Sequence, residues 1–464
     1  MSIKFGTSGW RAIIADEFTF SNVRIVSQAI AKYLKSHHLQ DKGIIVGYDT
    51  RFLSKEFAQS CAETIAGSNI DVYLTEREAP TPVIAYQILK RKTGGAINIT
   101  ASHNPAQYNG IKFSSASGAP APPEVTSEIE KNIGSAAGSS SGKKGQIEIF
   151  DPRPEYLEQI KKLVNFGAIG QAKLKIGVDL LYGTGRGYLD ELLREAGCEV
   201  ISLHDRLDPS FGGLPPEPAS LQLAELTKLI ESKGLDLGLA VDGDADRFGV
   251  VDRDGTYISA NQVISLLSAH LIATRPGYKR IARTIATTHM VDALARKEGL
   301  RVTETPVGFK YIAEELMKGD CLIGAEESGG LSIAGHIPEK DGILACFLIA
   351  EMVAVRKKPP GEILKELYKE VGDFFSARED FHLQEKAMKN FSNQAKSFSS
   401  LSSLGGRKIS SFSQRDGYKF IFNDESWLMF RLSGTEPVVR CYCEAKTKAG
   451  LKELLKLGEG MVNA

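Results

Sequence analysis

Three times along the chain a short apolar run ends in a polar loop and passes into residues with helical spacing. The first run is Gly43-Ile44-Ile45-Val46-Gly47-Tyr48, which ends in Asp49-Thr50-Arg51 and leads into a helix predicted over 54–67. The second covers 174–180, and its loop Tyr182-Gly183-Thr184-Gly185-Arg186-Gly187 precedes a helix to about 196. The third covers 281–287, followed by Thr288-His289-Met290 and a helix over 291–297. The first of these runs is apolar throughout and reads as a buried strand, and strands that alternate with helices build parallel sheets. The chain is thereby held to an α/β architecture, and the three restarts suggest a diverged internal triplication. In such sheets the working loops lie beyond the carboxyl ends of the strands.

Apolar spacing at Val23, Val26, Ile30 and Leu34 predicts a helix over 22–36, and further strands are predicted over 71–74, 199–203 and 237–241. The stretch 134–145 (GSAAGSSSGKKG) reads as a mobile loop, and a linking helix over 154–166 follows it. Beyond Lys357-Lys358-Pro359-Pro360-Gly361 and a helix to about 372 the pattern changes. A Ser/Gly-rich stretch over 397–406 gives way to short strands at 417–422, 427–432 and 438–444 and a final helix, which reads as a small α+β domain. At 464 residues the chain is too long for one core, and four domains are assigned: 1–150, 151–256, 257–373 and 374–464.

Lys+Arg and Asp+Glu both number 57, so the chain carries no net charge. That argues against a nucleic-acid-coating or membrane-surface protein, though a locally basic cleft is compatible with it. Six scattered cysteines, with no CxxC and no metal spacing, read as small core residues in a reducing compartment. No apolar leader and no run of membrane-spanning length is visible, which predicts a cytoplasmic protein.

Four stretches carry chemistry. Thr100-Ala101-Ser102-His103-Asn104-Pro105 follows the apolar run 94–99 and closes with Asn109-Gly110-Ile111-Lys112, which predicts Ser102 on a loop tip beside His103. A serine so placed suits nucleophilic or phosphoryl-carrying chemistry, whereas Asn-Pro and Asn-Gly alone would be ordinary turns. Asp242, Asp244 and Asp246 alternate on one loop off a buried strand, where three carboxylates converge on a hard cation. They would repel strongly without one, and magnesium with phosphate is the natural inference. An EF-hand is excluded, because its glycine and glutamate places hold Arg247 and Arg253. Glu326-Glu327-Ser328-Gly329 presents carboxylates suited to sugar hydroxyls, though a plain exposed turn reads almost as well. Arg431, Ser433, Gly434, Thr435 and Arg440 form a phosphate cradle of turn N–H groups, hydroxyls and guanidiniums. The Gly183-x-Gly185-x-Gly187 loop lacks the spacing of a dinucleotide fingerprint.

These four loops, in this order, resemble the α-D-phosphohexomutase superfamily over essentially the whole chain. The resemblance implies three similar mixed α/β sandwich domains plus a smaller C-terminal α+β domain around a central cleft. It implies phosphate on Ser102, which joins Asp242, Asp244 and Asp246 around Mg2+, and sugar binding by Glu326 and Ser328. It implies phosphate binding by Arg431, Ser433, Gly434, Thr435 and Arg440. Phosphoryl transfer from Ser102 to a sugar 1-phosphate would give a bisphosphorylated sugar that reorients and returns its other phosphate, with glucose 1,6-bisphosphate as activator. Arg11, His103 and Arg247 are placed beside the transferring group, and Lys112 matches the family's proposed general base, a role that needs a depressed pKa.

The sugar loop reads Glu326-Glu327-Ser328-Gly329-Gly330, without the histidine typical of phosphomannomutases and phosphoglucosamine mutases, and looks more like the phosphoglucomutases. Two further segments lean the same way, Thr305-Pro306-Val307-Gly308-Phe309-Lys310 and His336-Ile337-Pro338-Glu339-Lys340-Asp341-Gly342, and place Gly308, Lys310 and Lys340 at the substrate. Glucose phosphates are the expected substrate, with mannose phosphates as a second class and a monomer or homodimer as the assembly. The rival readings are a phosphomannomutase, a phosphoglucosamine mutase, a glucose-1,6-bisphosphate synthase, and a non-catalytic sugar-phosphate sensor. The last has no need of three aspartates.

Overall fold

The computed structural model describes residues 3–6, 9–134, 142, 144–433 and 437–463. Four sheets follow one another along the chain. The first contains β1 (Trp10–Ile13), β2 (Ile44–Tyr48), β3 (Val72–Thr75), β4 (Gly95–Ile99), β5 (Tyr108–Ser115) and β6 (Ile147–Phe150), in the order β1-β5-β4-β2-β3-β6. The second contains β7 (Lys175–Asp179), β8 (Glu199–Leu203), β9 (Leu237–Val241), β10 (Phe248–Asp252) and β11 (Tyr257–Ile258), in the order β11-β10-β9-β7-β8. The third contains β12 (Arg280–Thr284), β13 (Arg301–Thr305), β14 (Cys321–Glu326) and β15 (Gly330–Ile333), in the order β13-β12-β14-β15.

Beneath the different strand numbers lies one repeated core. In each sheet three strands run parallel (β3-β2-β4, β8-β7-β9, β13-β12-β14), and a fourth returns antiparallel against the third (β5, β10, β15). The parallel strands β2, β4 and β9 are buried along their whole length, which is why their sequences are apolar rather than alternating. The equally buried β12 carries Arg280 and Arg283, paired with Glu315 and Asp320 and with Asp292 and Glu304. The triplication suggested by the three restarts is thus visible as a shared topology.

The fourth sheet is antiparallel throughout: β16 (Phe375–His382), β17 (Ser403–Leu404), β18 (Arg407–Ser413), β19 (Tyr418–Phe422), β20 (Trp427–Leu432) and β21 (Val438–Ala445), in the order β16-β21-β20-β19-β18-β17. Helix Lys448–Val462 covers one face. This domain holds more structure than its sequence announces. β16 is half exposed and lacks an apolar alternation, and the Ser/Gly-rich stretch contains β17 and the buried Phe398.

The second and third sheets share one continuous core, built around helix Gly342–Arg356, which is buried nearly all round. The first and fourth domains have separate cores. The predicted linking helix is two helices, Arg153–Leu163 and Phe166–Ala172, because Asn165 breaks the first and caps the second through the Ala168 N–H. The predicted mobile loop at 134–145 lies mostly outside the described residues. All six cysteines are buried and unpaired. Among the described residues no helix is long and apolar enough to cross a membrane.

Candidate active site

Each chemically distinctive loop of the first three domains is the hairpin between the third and fourth strands of its core. Ser102 lies between β4 and β5, the aspartates between β9 and β10, and the glutamate turn between β14 and β15. The three hairpins meet. Ser102 is therefore not on an exposed tip: it is 2% exposed, closed over by the aspartate loop. Its Oγ donates to Asp242 Oδ2 at 3.2 Å and lies 3.4 Å from His103 Nδ1. Its backbone takes the left-handed conformation, with φ 53°, which a non-glycine residue adopts at a cost that the surrounding loop must offset.

The loop is held by Arg51, whose guanidinium donates to the carbonyls of Ser102 (2.5 Å), Asn104 (2.6 Å), Pro105 (2.8 Å) and Tyr108 (3.0 Å). Asp49 fixes that guanidinium through Nε, and Phe211 of the second domain lies against it at 4.9 Å. Arg11 stands in β1 and donates to Asn104 Oδ1 at 2.7 Å. Arg247, then burial and Arg11, push the His103 imidazole well below its ordinary pKa, so the ring is neutral.

Asp242, Asp244 and Asp246 are fully buried and each offers an oxygen within 4.8 Å of the others. The expected mutual repulsion is answered by side chains. Lys112 Nζ donates to Asp244 Oδ2 (2.6 Å) and Asp246 Oδ2 (3.1 Å), Lys340 Nζ lies 2.9 Å from Asp246 Oδ2, and Thr81 Oγ1 donates to Asp244 Oδ2 at 2.6 Å. Asp244 Oδ1 and Asp246 Oδ1 remain buried with no hydrogen-bond partner among the described residues. Two orphaned carboxylate oxygens beside a third carboxylate are a donor set that a small hard dication fits. Burial, with Asp244 and Asp246 beside it, raises Asp242 well above the usual carboxylate range. Burial alone would lower the Lys112 pKa, but Asp244 and Asp246 outweigh burial and raise it above the usual lysine value.

In the glutamate turn the two carboxylates part. Glu327 Oε2 accepts from Thr284 Oγ1 at 2.9 Å, whereas Glu326 Oε1 accepts from the Gly308 N–H at 2.9 Å. Burial pushes Glu326 up to about 7, against the opposing pull of Lys340. Ser328 follows in the turn, half-buried, and Lys310 begins the helix Phe309–Met317 with its ammonium over the Tyr311 ring at 5.2 Å. Gly330 explains how Lys340 reaches the aspartates: a Cβ at 330 would lie 2.3 Å from Lys340 Cδ. Gly342, likewise, sits where a Cβ would meet the Arg247 carbonyl oxygen at 2.3 Å, and its N–H donates to Ala245 O. Asp341 between them caps helix Gly342–Arg356 and accepts from Tyr156 Oη (2.8 Å) and His336 Nε2 (2.7 Å).

In the fourth domain Arg431 on β20 and Arg440 on β21 are paired directly across the sheet. Like charges so placed are destabilising on their own and suit an anion laid across them. Arg440 Nε is buried without a hydrogen-bond partner among the described residues, 3.6 Å from Asp380. Ser433 N–H donates to Val438 O. Gly434 and Thr435 lie outside the described residues, so the turn of the predicted cradle does too.

The geometry thus gathers Ser102, His103, Arg11, Lys112, Arg247, the three aspartates, Glu326 and Lys340 around one place, with Arg431 and Arg440 on the neighbouring domain. Arg51 and Thr81 complete it. The position of Arg51 after the buried run at 44–48 marked it as a loop residue, but nothing local gave its partners, and Thr81 carried no signal.

All four domains match family models: phosphoglucomutase/phosphomannomutase α/β/α domain I over residues 2–138, domain II over 154–255, domain III over 259–371, and the C-terminal domain over 379–456. A Thermococcus kodakarensis protein named as phosphoglucomutase/phosphomannomutase is 31% identical over 98% of this chain and 97% of its own length. One from Pyrococcus horikoshii, named as a phosphoglucosamine mutase, is 32% identical over 99% and 98%. A crystal structure from Thermus thermophilus, named as a phosphomannomutase, superposes with a TM-score of 0.87 at 32% identity, covering all of both chains. Alignment over the full length, domain by domain, leaves one conclusion: the chain belongs to the phosphoglucomutase/phosphomannomutase family and is a phosphohexomutase-class enzyme.

Proposed function

We propose that the protein interconverts glucose 1-phosphate and glucose 6-phosphate through a phosphorylated Ser102, with mannose phosphates as poorer substrates. The observation that carries this reading is the placement of the Ser102 hydroxyl against Asp242, within a buried triad that Lys340 connects to the sugar turn. A magnesium ion held by Asp242, Asp244, Asp246 and the phosphate on Ser102 would neutralise charge on the transferring group. Arg11, Lys112 and Arg247 supply fixed positive charge on the protein side. Arg431, Arg440, Ser433, Gly434 and Thr435 hold the phosphate that is not reacting, while Glu326 and Ser328 orient the sugar ring and Gly308, Lys310 and Lys340 line it.

In the forward half-reaction the phosphoryl group leaves Ser102 Oγ for the 6-hydroxyl, giving a hexose 1,6-bisphosphate. After reorientation the 1-phosphoryl group returns to Ser102 Oγ and hexose 6-phosphate departs. Each half-reaction moves one proton from the attacking hydroxyl to the departing oxygen, from the sugar 6-hydroxyl to Ser102 Oγ on the forward step and from Ser102 Oγ to the sugar 1-oxygen on the return. His103, neutral and 3.4 Å from Ser102 Oγ, is suited to relay it at the serine end. Glucose 1,6-bisphosphate serves as activator by phosphorylating Ser102.

A second reading, phosphoglucosamine mutase, is favoured by the name of the Pyrococcus horikoshii relative. Against it stands Gly330, where Lys340 fills the space that a side chain would take. A coupled assay with magnesium and a trace of glucose 1,6-bisphosphate, comparing glucose, mannose and glucosamine 1-phosphates by kcat/KM, separates them. A preference for glucose supports the proposal, equal use of glucose and mannose makes the enzyme dual-specific, and preference for glucosamine overturns it.

A further inference from the structure

We propose that Asp416 is a positioning residue: it sets the Arg431 guanidinium for the sugar's phosphate and couples that grip to the loop that aims Glu326. The proposal rests on reading Arg431 as a phosphate ligand. Asp416 lies in the turn between β18 and β19, far in sequence from every loop discussed above. Its Oδ2 accepts from Arg431 Nε at 3.1 Å within the fourth domain, and from the Val307 N–H at 2.8 Å across the domain boundary. The next residue, Gly308, donates its N–H to Glu326 Oε1 at 2.9 Å. One carboxylate oxygen thereby links the phosphate arginine to the sugar carboxylate through two consecutive backbone amides.

This differs from a surface ion pair, which contributes little because both side chains are free to move. Arg431 and Asp416 are only 19% and 25% exposed, and a third group from another domain fixes the oxygen they share. The surrounding turn is anchored as well. Arg415 donates to the Glu304 carbonyl, and Lys419 Nζ donates to Ile285 O (2.6 Å) and His289 Nε2 (2.9 Å). With Nε engaged by Asp416, a bidentate grip on phosphate falls to the two terminal nitrogens of Arg431, an end-on approach that a freely rotating arginine would not hold. Arg440, the cross-strand neighbour, has Asp380 in the corresponding place near its own Nε, at 3.6 Å.

The test measures Asp416→Ala, Asp416→Asn and Arg431→Ala in the full chain, by kcat and KM for the preferred hexose 1-phosphate and by competitive inhibition with inorganic phosphate. Asp416→Ala is expected to raise KM and weaken phosphate inhibition about tenfold each while lowering kcat less than threefold. Asp416→Asn, which keeps an acceptor for Val307 but loses the charge, should fall between, and it decides the matter if the alanine variant does not fold. Combining Asp416→Ala with Arg431→Ala should add little to Arg431→Ala alone. Unchanged KM and phosphate inhibition in both Asp416 variants, with both weakened in Arg431→Ala, would overturn the role of Asp416 and leave the functional reading standing. A fall in kcat without a change in KM would also overturn it. No effect of Arg431→Ala on either quantity would remove the phosphate-cradle reading itself, and this proposal with it.

Discussion

At the scale of single residues the site is a set of buried charges whose partners come from other domains. Glu326 is the clearest case for experiment. Burial lifts its carboxyl from 4.5 to about 7, so near neutrality it is divided between a neutral acid and a carboxylate, and on the proposed function only the carboxylate accepts from two sugar hydroxyls. Sugar binding should weaken as pH falls through about 7, seen as a rise in KM, and Glu326→Gln should flatten that limb of the profile. The same shift bears on stability. The folded state holds the proton more tightly than the unfolded one, so this group's contribution is complete below about pH 4.5 and is lost as pH rises through about 7. Ser102→Ala should keep cooperative unfolding but lose turnover by more than about a thousandfold, since the phosphoryl carrier itself is gone. Near-normal rates would place the carrier elsewhere. Ser102, the three aspartates and Glu326 were legible in the sequence because unusual polar residues cluster directly after buried strands. Arg51, Thr81 and Asp416 were not, because each acts through a partner distant in the chain: Arg51 on the 102–108 carbonyls, Thr81 on Asp244, Asp416 on Val307.

At the scale of elements, the recurring unit is a parallel trio of strands closed by an antiparallel fourth, and the turn into that fourth strand is where each domain keeps its chemistry. The parallel strands of the first two cores could be read from the sequence, since strands covered by helices must be largely apolar. In the third core β13, RVTET and only partly buried, gave no such signal, and β14 was missed. The returning strands could not be read this way. β5 begins Tyr108-Asn109-Gly110, where Asn109 is buried and hydrogen-bonded to Ser54 Oγ, and such residues read as a turn until their partners are known. The β14–β15 hairpin offers its own test. Gly330→Ala places a methyl group against the Lys340 stem at 2.3 Å and should push the ammonium away from Asp246. Overpacking of this kind costs about 1–3 kcal/mol of stability. We expect kcat/KM for glucose 1-phosphate to fall between about tenfold and a hundredfold, a loss on the order of 1.4–2.7 kcal/mol in transition-state binding. An alanine variant with unaltered kcat/KM would show that Lys340 need not cross that glycine.

At the scale of the whole molecule, the second and third domains form one body through their shared core. The fourth meets it through a small apolar cluster of Ile285 and Ala286 with Trp427, Met429 and Tyr442, beside the Asp416 bond to Val307. The first meets it through Val83 and Ala119 and through the polar contacts of Ser102 with Asp242 and of Lys112 with Asp244 and Asp246. The polar contacts between the first and second domains respond to charge. Phosphorylating Ser102 adds roughly two negative charges beside Arg11, Arg247 and Lys112 and should tighten the first domain against the second. Hydrogen exchange over 100–105 and 242–247 should slow in the phosphorylated enzyme, and identical exchange in the two forms would refute the tightening. The sealed position of Ser102 also has a consequence for idle time. The groups that favour phosphoryl transfer to a sugar hydroxyl would favour transfer to any water that entered, and each molecule so discharged would wait for a bisphosphate to prime it again. On the proposed mechanism, a serine walled in by another domain's loop would keep its phosphate while the enzyme is empty, so that a single priming event would serve many turnovers.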